Sequence, residues 1–383
     1  MKIRKGNMML RSIQEQVLES FHYLHCHPEI SWEEANTTNY IGQLLEKNGC
    51  KVVKFDDCTG VIGEYGKFDS DLPIVGIRAD MDALWQEVDG TFQPNHSCGH
   101  DAHMSIVLGV LWKLQKTDSI KDKVAIKFIF QPAEENGTGA LKMVEKNVIH
   151  NVDYLYGIHL RPVQETAPGR ATPVIVHGAT KMYDVEILGE DAHGARPHLN
   201  HNAIEVAAQI LNMISQIHLD PRIPHSVKMT KIQAGGKNTN IIPGNGSFSL
   251  DLRAQNNELM DKLEVKVNDI FQSMRHLYDL DINVTHIDGI VAAVTNEEAT
   301  DIMRKSIIET LGEENLDKPL VTPGGDDFHF YTVKKPTLKA SMLGLGCNLS
   351  PGLHHPNMTF DKEYLMNGVD ILYRAILNTY EKK

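Results

Sequence analysis

The spacing of apolar residues predicts helices at the start of the chain and an alternation of strands and helices after it. Residues 11–25 place Val17, Phe21 and Leu24 at helical intervals, and residues 104–114 are apolar nearly all round, which is typical of a buried helix. The predicted buried strands are residues 73–80, 124–130 and 153–160. Because strands alternate with helices, we expect an α/β domain with a largely parallel sheet.

Beyond about residue 180 the apolar pattern changes to the strict alternation of half-exposed strands. The predicted strands are residues 181–189, 226–235, 246–255 and 282–288, and the helices are residues 202–217 and 257–274. The order β-α-β-β-α-β is the split βαβ arrangement of a small ferredoxin-like α+β sandwich. Since the α/β pattern then resumes, we predict a discontinuous first domain (1–178 and 293–383) interrupted by an inserted domain (179–292).

Composition agrees with two folded domains and excludes several kinds of partner. The chain has 383 residues, of which 42% are hydrophobic and 23% charged, and its formal net charge is −12. An acidic chain does not offer the basic surface that nucleic acid requires. The opening residues, MKIRKGNMML, lack the apolar region of a secretory signal, and no apolar run is long enough for a membrane span. Five scattered cysteines do not form a disulfide framework, so we expect the reducing cytoplasm.

Polar side chains gather where three predicted strands end. Asp80 and Asp82 follow the first buried strand, Glu134 and Glu135 follow the second, and His159 lies near the end of the third. The carboxyl edge of an open α/β sheet is where ligands bind. Adjacent carboxylates beside a buried strand are costly unless a positive charge accompanies them, and a metal cation would supply it.

The segment HSCGHDAH (96–103) contains further groups that bind metals or protons. If it is extended, His96, Cys98 and His100 share one side, and Gly99 lets the backbone approach a metal closely. Cys98 and His100 are therefore the best-placed pair. His103 lies within the predicted helix and would support the ligands rather than bind the metal.

Each of these features has a structural alternative when it is taken alone. A Glu-Glu pair is usually solvated, His159 could be a satisfied core histidine, and Cys98 could be a small buried hydrophobe. Their joint position at one sheet edge favours a site. Two other groups are set aside: residues 25–27, which lie at a helix end beside Pro28 with a spacing that lets few of them converge, and residues 60–66, which lack the spacing of a phosphate loop and are predicted to form a strand and turn.

Taken together, the motifs resemble the M20 metallopeptidase family, and most closely its amidohydrolases and aminoacylases, which include the auxin-conjugate hydrolases. The resemblance extends in order along almost the whole chain. It is carried by HPEIS (27–31), RADMDAL (78–84), CGHDAH (98–103), QPAEE (131–135), GIHL (157–160), DAHGARPH (191–198), NTNIIP (238–243), DLRA (251–254), GGDDF (324–328) and LHHP (353–356).

The resemblance implies a role for each matching residue. The implied metal ligands are Cys98, His100, Glu135, His159 and His354. Glu134 would be the general base, and Asp82 would orient a ligand. His193 in the inserted domain would stabilise the oxyanion, in some relatives from the partner subunit of a homodimer. Asn240 and Arg253 would bind substrate.

The chain departs from the family pattern at three positions. Trp85 stands where proline is usual, His355 where a small polar residue is common, and Asp326 where glutamate is usual. A bulky indole near the site would narrow an acyl pocket. These departures therefore affect the choice of substrate more than the type of reaction.

The reaction implied is hydrolysis of the amide bond of an N-acyl amino acid or a related conjugate by water that two divalent cations activate. The donor set accepts manganese, zinc, cobalt or nickel. Two alternatives stay open: a dipeptidase or carboxypeptidase using the same site, and a non-catalytic binder that keeps a relic of it. The presence of Glu134 beside five candidate ligands argues against the relic.

Overall fold

The computed structural model describes residues 11–117 and 120–381, so the opening decapeptide lies outside the described residues. The chain forms two compact units: Met1–Ile175, Val294–Leu320 and Phe330–Lys383 make up the first, and Val176–Ala293 and Val321–His329 the second. The predicted boundaries place Val321–His329 in the first domain, and this is the main difference from the two units. This segment belongs to the second unit, where the carbonyls of Thr322 and Gly324 both accept the Gly178 N–H.

The elements are numbered along the whole chain. The helices are α1 (Ile13–Cys26), α2 (Ala35–Lys47), α3 (His100–Gln115), α4 (Gly139–Glu145), α5 (Ala203–Ile214), α6 (Asn257–Tyr278), α7 (Glu297–Leu311), α8 (His329–Lys334) and α9 (Leu365–Glu381). The strands are β1 (Lys51–Lys54), β2 (Val61–Gly66), β3 (Ile74–Asp80), β4 (Leu84–Val88), β5 (Thr91–Asn95), β6 (Ala125–Gln131), β7 (Tyr154–Pro162), β8 (Ala171–Thr172), β9 (Ile175–His177), β10 (Ala179–Leu188), β11 (Ala192–His193), β12 (His225–Ala234), β13 (Ile241–Ile242), β14 (Gly246–Ala254), β15 (Asp281–Ile290), β16 (Leu320–Thr322) and β17 (Lys339–Leu349).

The first unit is built on a seven-stranded sheet in the order β1-β2-β6-β3-β7-β17-β8. The four central strands, β6, β3, β7 and β17, are parallel, and the strands at both edges join antiparallel. Strands that are buried on both faces have continuous apolar sequences, and three of these four strands were predicted from such sequences. The mixed sheet with its parallel centre confirms the predicted α/β class.

Helix α3 is buried on almost every side, since it contacts β3 and β7 as well as α1 and α9. Its apolar sequence, which lacks a polar face, follows from this position. Its first residue, His100, therefore begins a rigid element inside the core rather than a surface helix.

The second unit contains a four-stranded antiparallel sheet in the order β12-β14-β10-β15, with α5 and α6 packed on it. Tyr183, Val185 and Ile187 of β10 face a core that includes Phe248 of β14 and Phe271 of α6. The order β10-α5-β12-β14-α6-β15 is the predicted ferredoxin-like arrangement.

Within the two described stretches, none of the helices has both the length and the apolar character that crossing a membrane would demand.

Candidate functional site

The structure brings the predicted ligands of the first unit together at the carboxyl ends of the parallel strands. Three groups that each contain at least two of the predicted ligands have their potential ligand atoms within 4.8 Å of one another: Cys98 with His100 and His159; Cys98 with Glu135 and His354; and His100 with Glu134 and Glu135. Asp82 follows β3, the two glutamates follow β6, His159 lies in β7, and His354 follows β17. Cys98 belongs to two of the groups, so it lies between them.

The segment that carries Cys98 has a different local structure from the one predicted. Residues 96–99 form a turn rather than an extended stretch, and α3 begins at His100. Gly99 has a φ of +87°, a left-handed conformation that favours glycine. Convergence of Cys98 and His100 therefore depends on this turn and the helix start, and not on strand alternation. His96 is buried nearby but belongs to none of the ligand groups found among the described residues.

Two imidazoles are oriented by their Nδ1 atoms. His100 Nδ1 donates to the backbone carbonyl of Asp82 at 2.9 Å, and His159 Nδ1 donates to the carbonyl of Leu160 at 2.7 Å. These bonds leave each Nε2 facing the site, and His159 Nε2 lies 3.6 Å from Cys98 Sγ. A backbone carbonyl bound to the far nitrogen is the usual way in which a metal-binding histidine is held.

Two buried polar atoms in the site make no hydrogen bond to the described residues. His100 Nε2 and Glu135 Oε1 are buried, and neither has a hydrogen-bond partner among the described residues. Buried polar groups are normally satisfied, because an unsatisfied one costs about 1–3 kcal/mol. An imidazole nitrogen, a carboxylate oxygen and a thiol pointing at one place are the donors that a divalent transition metal takes. The residues present thus fit a metal site.

The charges around His100 support the same interpretation. Its ring nitrogens lie 3.8 Å from Asp80, 3.3 Å from Asp82, and 3.8 Å from both Glu134 and Glu135. Burial acts to lower the pKa of His100, but the Asp80 carboxylate and other anionic neighbours raise it well above its usual range. A buried excess of negative charge that favours a proton on His100 also favours a cation at this position.

His103 is excluded as a ligand by its own hydrogen bonds. Its Nδ1 lies 2.7 Å from Asp80 Oδ1, and its Nε2 accepts the Leu160 N–H at 2.9 Å, so neither nitrogen has a lone pair available. Asp80 is also bound by Arg78 at 2.6 Å. Burial acts to raise the pKa of Asp80, but the rings of His100 and His103 and the Arg78 guanidinium hold it well below its usual range.

Asp82 lies where it can shape the loop after β6. Its carboxylate oxygens accept the backbone N–H groups of Glu134 at 3.1 Å and Glu135 at 3.0 Å, and the Ser31 hydroxyl at 2.6 Å. Burial acts to raise the pKa of Asp82, but its bond with His100 and these other donors lower it. Because both oxygens of the ionised Asp82 carboxylate already accept hydrogen bonds, we expect this side chain to orient the loop after β6 rather than to bind a metal.

His354 occupies a loop that is held through its backbone. Its N–H donates to the Ser97 carbonyl at 2.7 Å, and its own carbonyl accepts from Gln86 at 3.2 Å. Its Nε2 lies 3.4 Å from Glu135 Oε1. The φ of His354 is +63°, an uncommon conformation that such contacts stabilise.

The remaining predicted site residues lie in the second unit. His193 in β11 pairs with Ile241 of β13, and its Nδ1 accepts the Ala195 N–H at 3.1 Å. The Asn240 carbonyl accepts the Gly194 N–H at 2.8 Å. Arg253 forms an ion pair with Asp251 at 2.9 Å. Their roles toward substrate stay predictions.

The sequence analysis did not predict two elements that hold the site residues in place. It did predict that residues 25–27 are not metal ligands. It did not identify the hairpin of β4 and β5, whose Gln86 binds His354, or the buried carboxylate of Glu34, which binds the loop after β6. The hairpin does have a local signal, because Asp89-Gly90 is a two-residue turn between its strands and both residues have a positive φ. Glu34 has no such local pattern. Residues 25–27 make structural contacts, as expected: His25 binds Asp101 at 2.7 Å and His27 binds a backbone carbonyl.

Comparisons with known proteins bear on the family and the fold of the chain. The sequence profile of Peptidase family M20/M25/M40 matches residues 76–378. The N-acetyl-L-cysteine deacetylase of Bacillus subtilis (strain 168) is 27% identical, with 98% of this chain and 91% of the relative covered. Thermostable carboxypeptidase 1 of Saccharolobus solfataricus is 29% identical, with 85% of each chain covered. The crystal structure of a dinuclear metal-binding M20 peptidase from Bacillus subtilis has a TM-score of 0.80 at 23% identity, covering 97% of this chain and 99% of that one, which confirms the fold.

Proposed function

Because the chain belongs to Peptidase family M20/M25/M40, we propose that it is a metal-dependent amidohydrolase that cleaves N-acyl amino acids or related conjugates. The family match confirms the resemblance seen in the sequence motifs. The observation that carries the proposal is the convergence of Cys98, His100, Glu135, His159 and His354, in which the Nδ1 atoms of His100 and His159 bind backbone carbonyls and leave their Nε2 atoms facing the site.

We assign these five residues as ligands of two divalent cations. Cys98 would be shared, since it lies with His100 and His159 on one side and with Glu135 and His354 on the other. The mixture of thiol, imidazole and carboxylate accepts manganese, zinc, cobalt or nickel. When bound, such ions make a water molecule more acidic and polarise a carbonyl.

In the proposed mechanism the protein's own residues position and move the proton. Glu134 is buried and its backbone is held by Asp82, so its carboxylate is fixed beside the ligands. It takes a proton from the attacking water and gives it to the nitrogen of the leaving amine. His193 is the proposed donor to the carbonyl oxygen as that oxygen gains charge, and Asn240 and Arg253 are the proposed contacts to the rest of the substrate.

The two relatives named above suggest two substrate classes for this site. One is named a deacetylase of an N-acetyl amino acid and the other a carboxypeptidase. We favour the acyl amino acid because the sequence motifs resemble the amidohydrolase subgroup most closely. A dipeptidase or carboxypeptidase is the second candidate.

A screen of N-acetyl and longer-chain N-acyl amino acids against free dipeptides, with each of the four metals, tests this proposal. We expect acyl amino acids to be cleaved with the larger kcat/KM. Preferential cleavage of dipeptides would favour the second candidate. Failure to cleave either class with any metal would favour a relic binding site.

The remaining features of the proposal are the assembly and the location of the enzyme. We propose a homodimer in which the second unit serves as lid and dimerisation domain, and we propose that the enzyme acts in the cytoplasm. All five cysteines are free thiols, which agrees with a reducing compartment. Sedimentation of the purified protein checks the assembly.

A further inference from the structure

Two buried carboxylates bind three successive backbone N–H groups in the loop after β6. Glu34 Oε1 accepts the N–H of Ala133 at 2.8 Å, and Asp82 accepts those of Glu134 and Glu135 at 3.1 and 3.0 Å. This loop carries both the proposed general base and a proposed ligand. Asp82 belongs to the motif 78–84 at the end of β3, whereas Glu34 comes from a distant part of the chain and has no assigned role.

The loop has a conformation that needs support from outside. Ala133 has a φ of +51°, which is uncommon for a residue with a side chain. Its carbonyl accepts the Gly139 N–H at 3.1 Å, and a Cβ on Gly139 would lie 1.7 Å from the Pro132 carbonyl oxygen. The turn is therefore tight, and strained backbone of this kind persists only when its surroundings hold it.

Helix capping does not explain why Glu34 is buried. Glu34 directly precedes α2 but makes no side-chain cap, because Glu29 binds the N–H groups of Asn36 and Thr37 instead. Both Glu34 oxygens are used elsewhere: Oε1 binds Ala133, and Oε2 accepts the Thr59 hydroxyl at 2.6 Å. A fully buried carboxylate is costly, so a contact that requires it is expected.

We infer that Glu34 is a positioning residue that holds the Pro132–Glu135 backbone, and through it the carboxylates of Glu134 and Glu135, in the geometry that hydrolysis requires. The inference rests on the proposed function for its catalytic consequence, but the structural contact can be tested without activity. Small displacements of a catalytic group cost up to about 100-fold in rate, which sets the size of the expected effect.

The test compares Glu34→Ala and Glu34→Gln with Glu33→Gln as matched control. Glu33 is exposed and adjacent, so its substitution makes the same change of charge without touching the loop. Hydrogen exchange of the peptide spanning 130–139 is measured on the metal-loaded proteins, together with kcat, KM and metal content. Glutamine keeps an oxygen that can accept the Ala133 N–H.

For Glu34→Ala we expect at least about tenfold faster exchange in this peptide and a fall in kcat of about 10- to 100-fold with KM little changed. Glu34→Gln should restore exchange and kcat to within about threefold of the wild type, since its oxygen replaces the lost acceptor. If Glu34→Ala does not fold, Glu34→Asp takes its place. Its shorter side chain cannot reach both Thr59 and Ala133, so it should show the same changes to a smaller degree.

Unchanged exchange in a folded Glu34→Ala or Glu34→Asp protein would overturn the inference, whatever the activity. Faster exchange with unchanged kcat would also overturn the inference, because it would show that the contact of Glu34 with the loop does not affect hydrolysis. Failure of the proposed function looks different: the wild type would cleave no amide, while the exchange of residues 130–139 would still report on the contact of Glu34.

Discussion

His103 joins Asp80 to the strand that carries His159. Its Nδ1 lies 2.7 Å from Asp80 Oδ1, and its Nε2 accepts the Leu160 N–H at 2.9 Å. Since Asp80 faces His100 and Leu160 follows His159, one imidazole fixes the surroundings of two proposed ligands. This explains why a histidine so close to the site supports it without binding a metal.

We predict that His103→Ala weakens metal binding by about 10- to 100-fold, the usual effect of losing a group that orients metal ligands. Titration of the metal-free protein with zinc or manganese measures the change. His150→Ala, at an exposed position, is the control. Equal affinity in the two variants would show that the His103 contacts do not orient the ligands.

We predict that Glu134→Gln lowers kcat by about 100- to 10,000-fold, because general acid–base catalysis contributes effects of this size. Metal content should remain that of the wild type, since Glu134 is not an assigned ligand. Elemental analysis and hydrolysis of an N-acyl amino acid check both parts. Glu145→Gln, an exposed substitution at the last residue of α4, should retain full activity. A Glu134→Gln enzyme that retained full activity would exclude Glu134 as the base.

Metal removal should destabilise the first unit, because buried carboxylates and imidazoles would lose the charge that compensates them. A ligand at 100 times its Kd stabilises a protein by about 2.7 kcal/mol, so chelation should lower Tm measurably. We expect two ions per wild-type chain and fewer in Cys98→Ser, with Cys26→Ser, an exposed free thiol, as control. One ion per chain in the wild type would contradict a shared Cys98.

The stability of the protein should depend on pH through Glu34. Burial raises the pKa of Glu34 from 4.5 to about 7, and the nearby Asp82 charge adds to this. Because the folded pKa lies above the unfolded one, the stability that the protonated carboxyl contributes is present below pH 4.5 and is lost as the pH rises toward 7. The loss amounts to roughly 3 kcal/mol.

Urea unfolding of the wild type and Glu34→Gln, at equal metal loading, measures this dependence. Glutamine cannot ionise, so the variant should gain in stability relative to the wild type between pH 5 and pH 8. Glu33→Gln should show no such trend. A constant difference between wild type and Glu34→Gln across this range would mean that Glu34 does not change its protonation state there.

The sequence by itself determined the elements and the residue types of the site. Continuous apolar runs identified β3, β6 and β7, strict alternation identified β10, β12 and β14, and polar residues after the parallel strands located the ligand edge. These conclusions succeed because burial on two faces, burial on one face and the carboxyl edge of a sheet each leave a local pattern.

Only the tertiary structure decided how the groups are held. The bonds of His100 to Asp82, of Glu34 to Ala133 and of Gln86 to His354 join residues 18, 99 and 268 positions apart. No periodicity encodes such pairs, because each depends on where the packed core places two backbones. For the same reason the sequence could name Cys98 and His100 but not the turn that lets them meet.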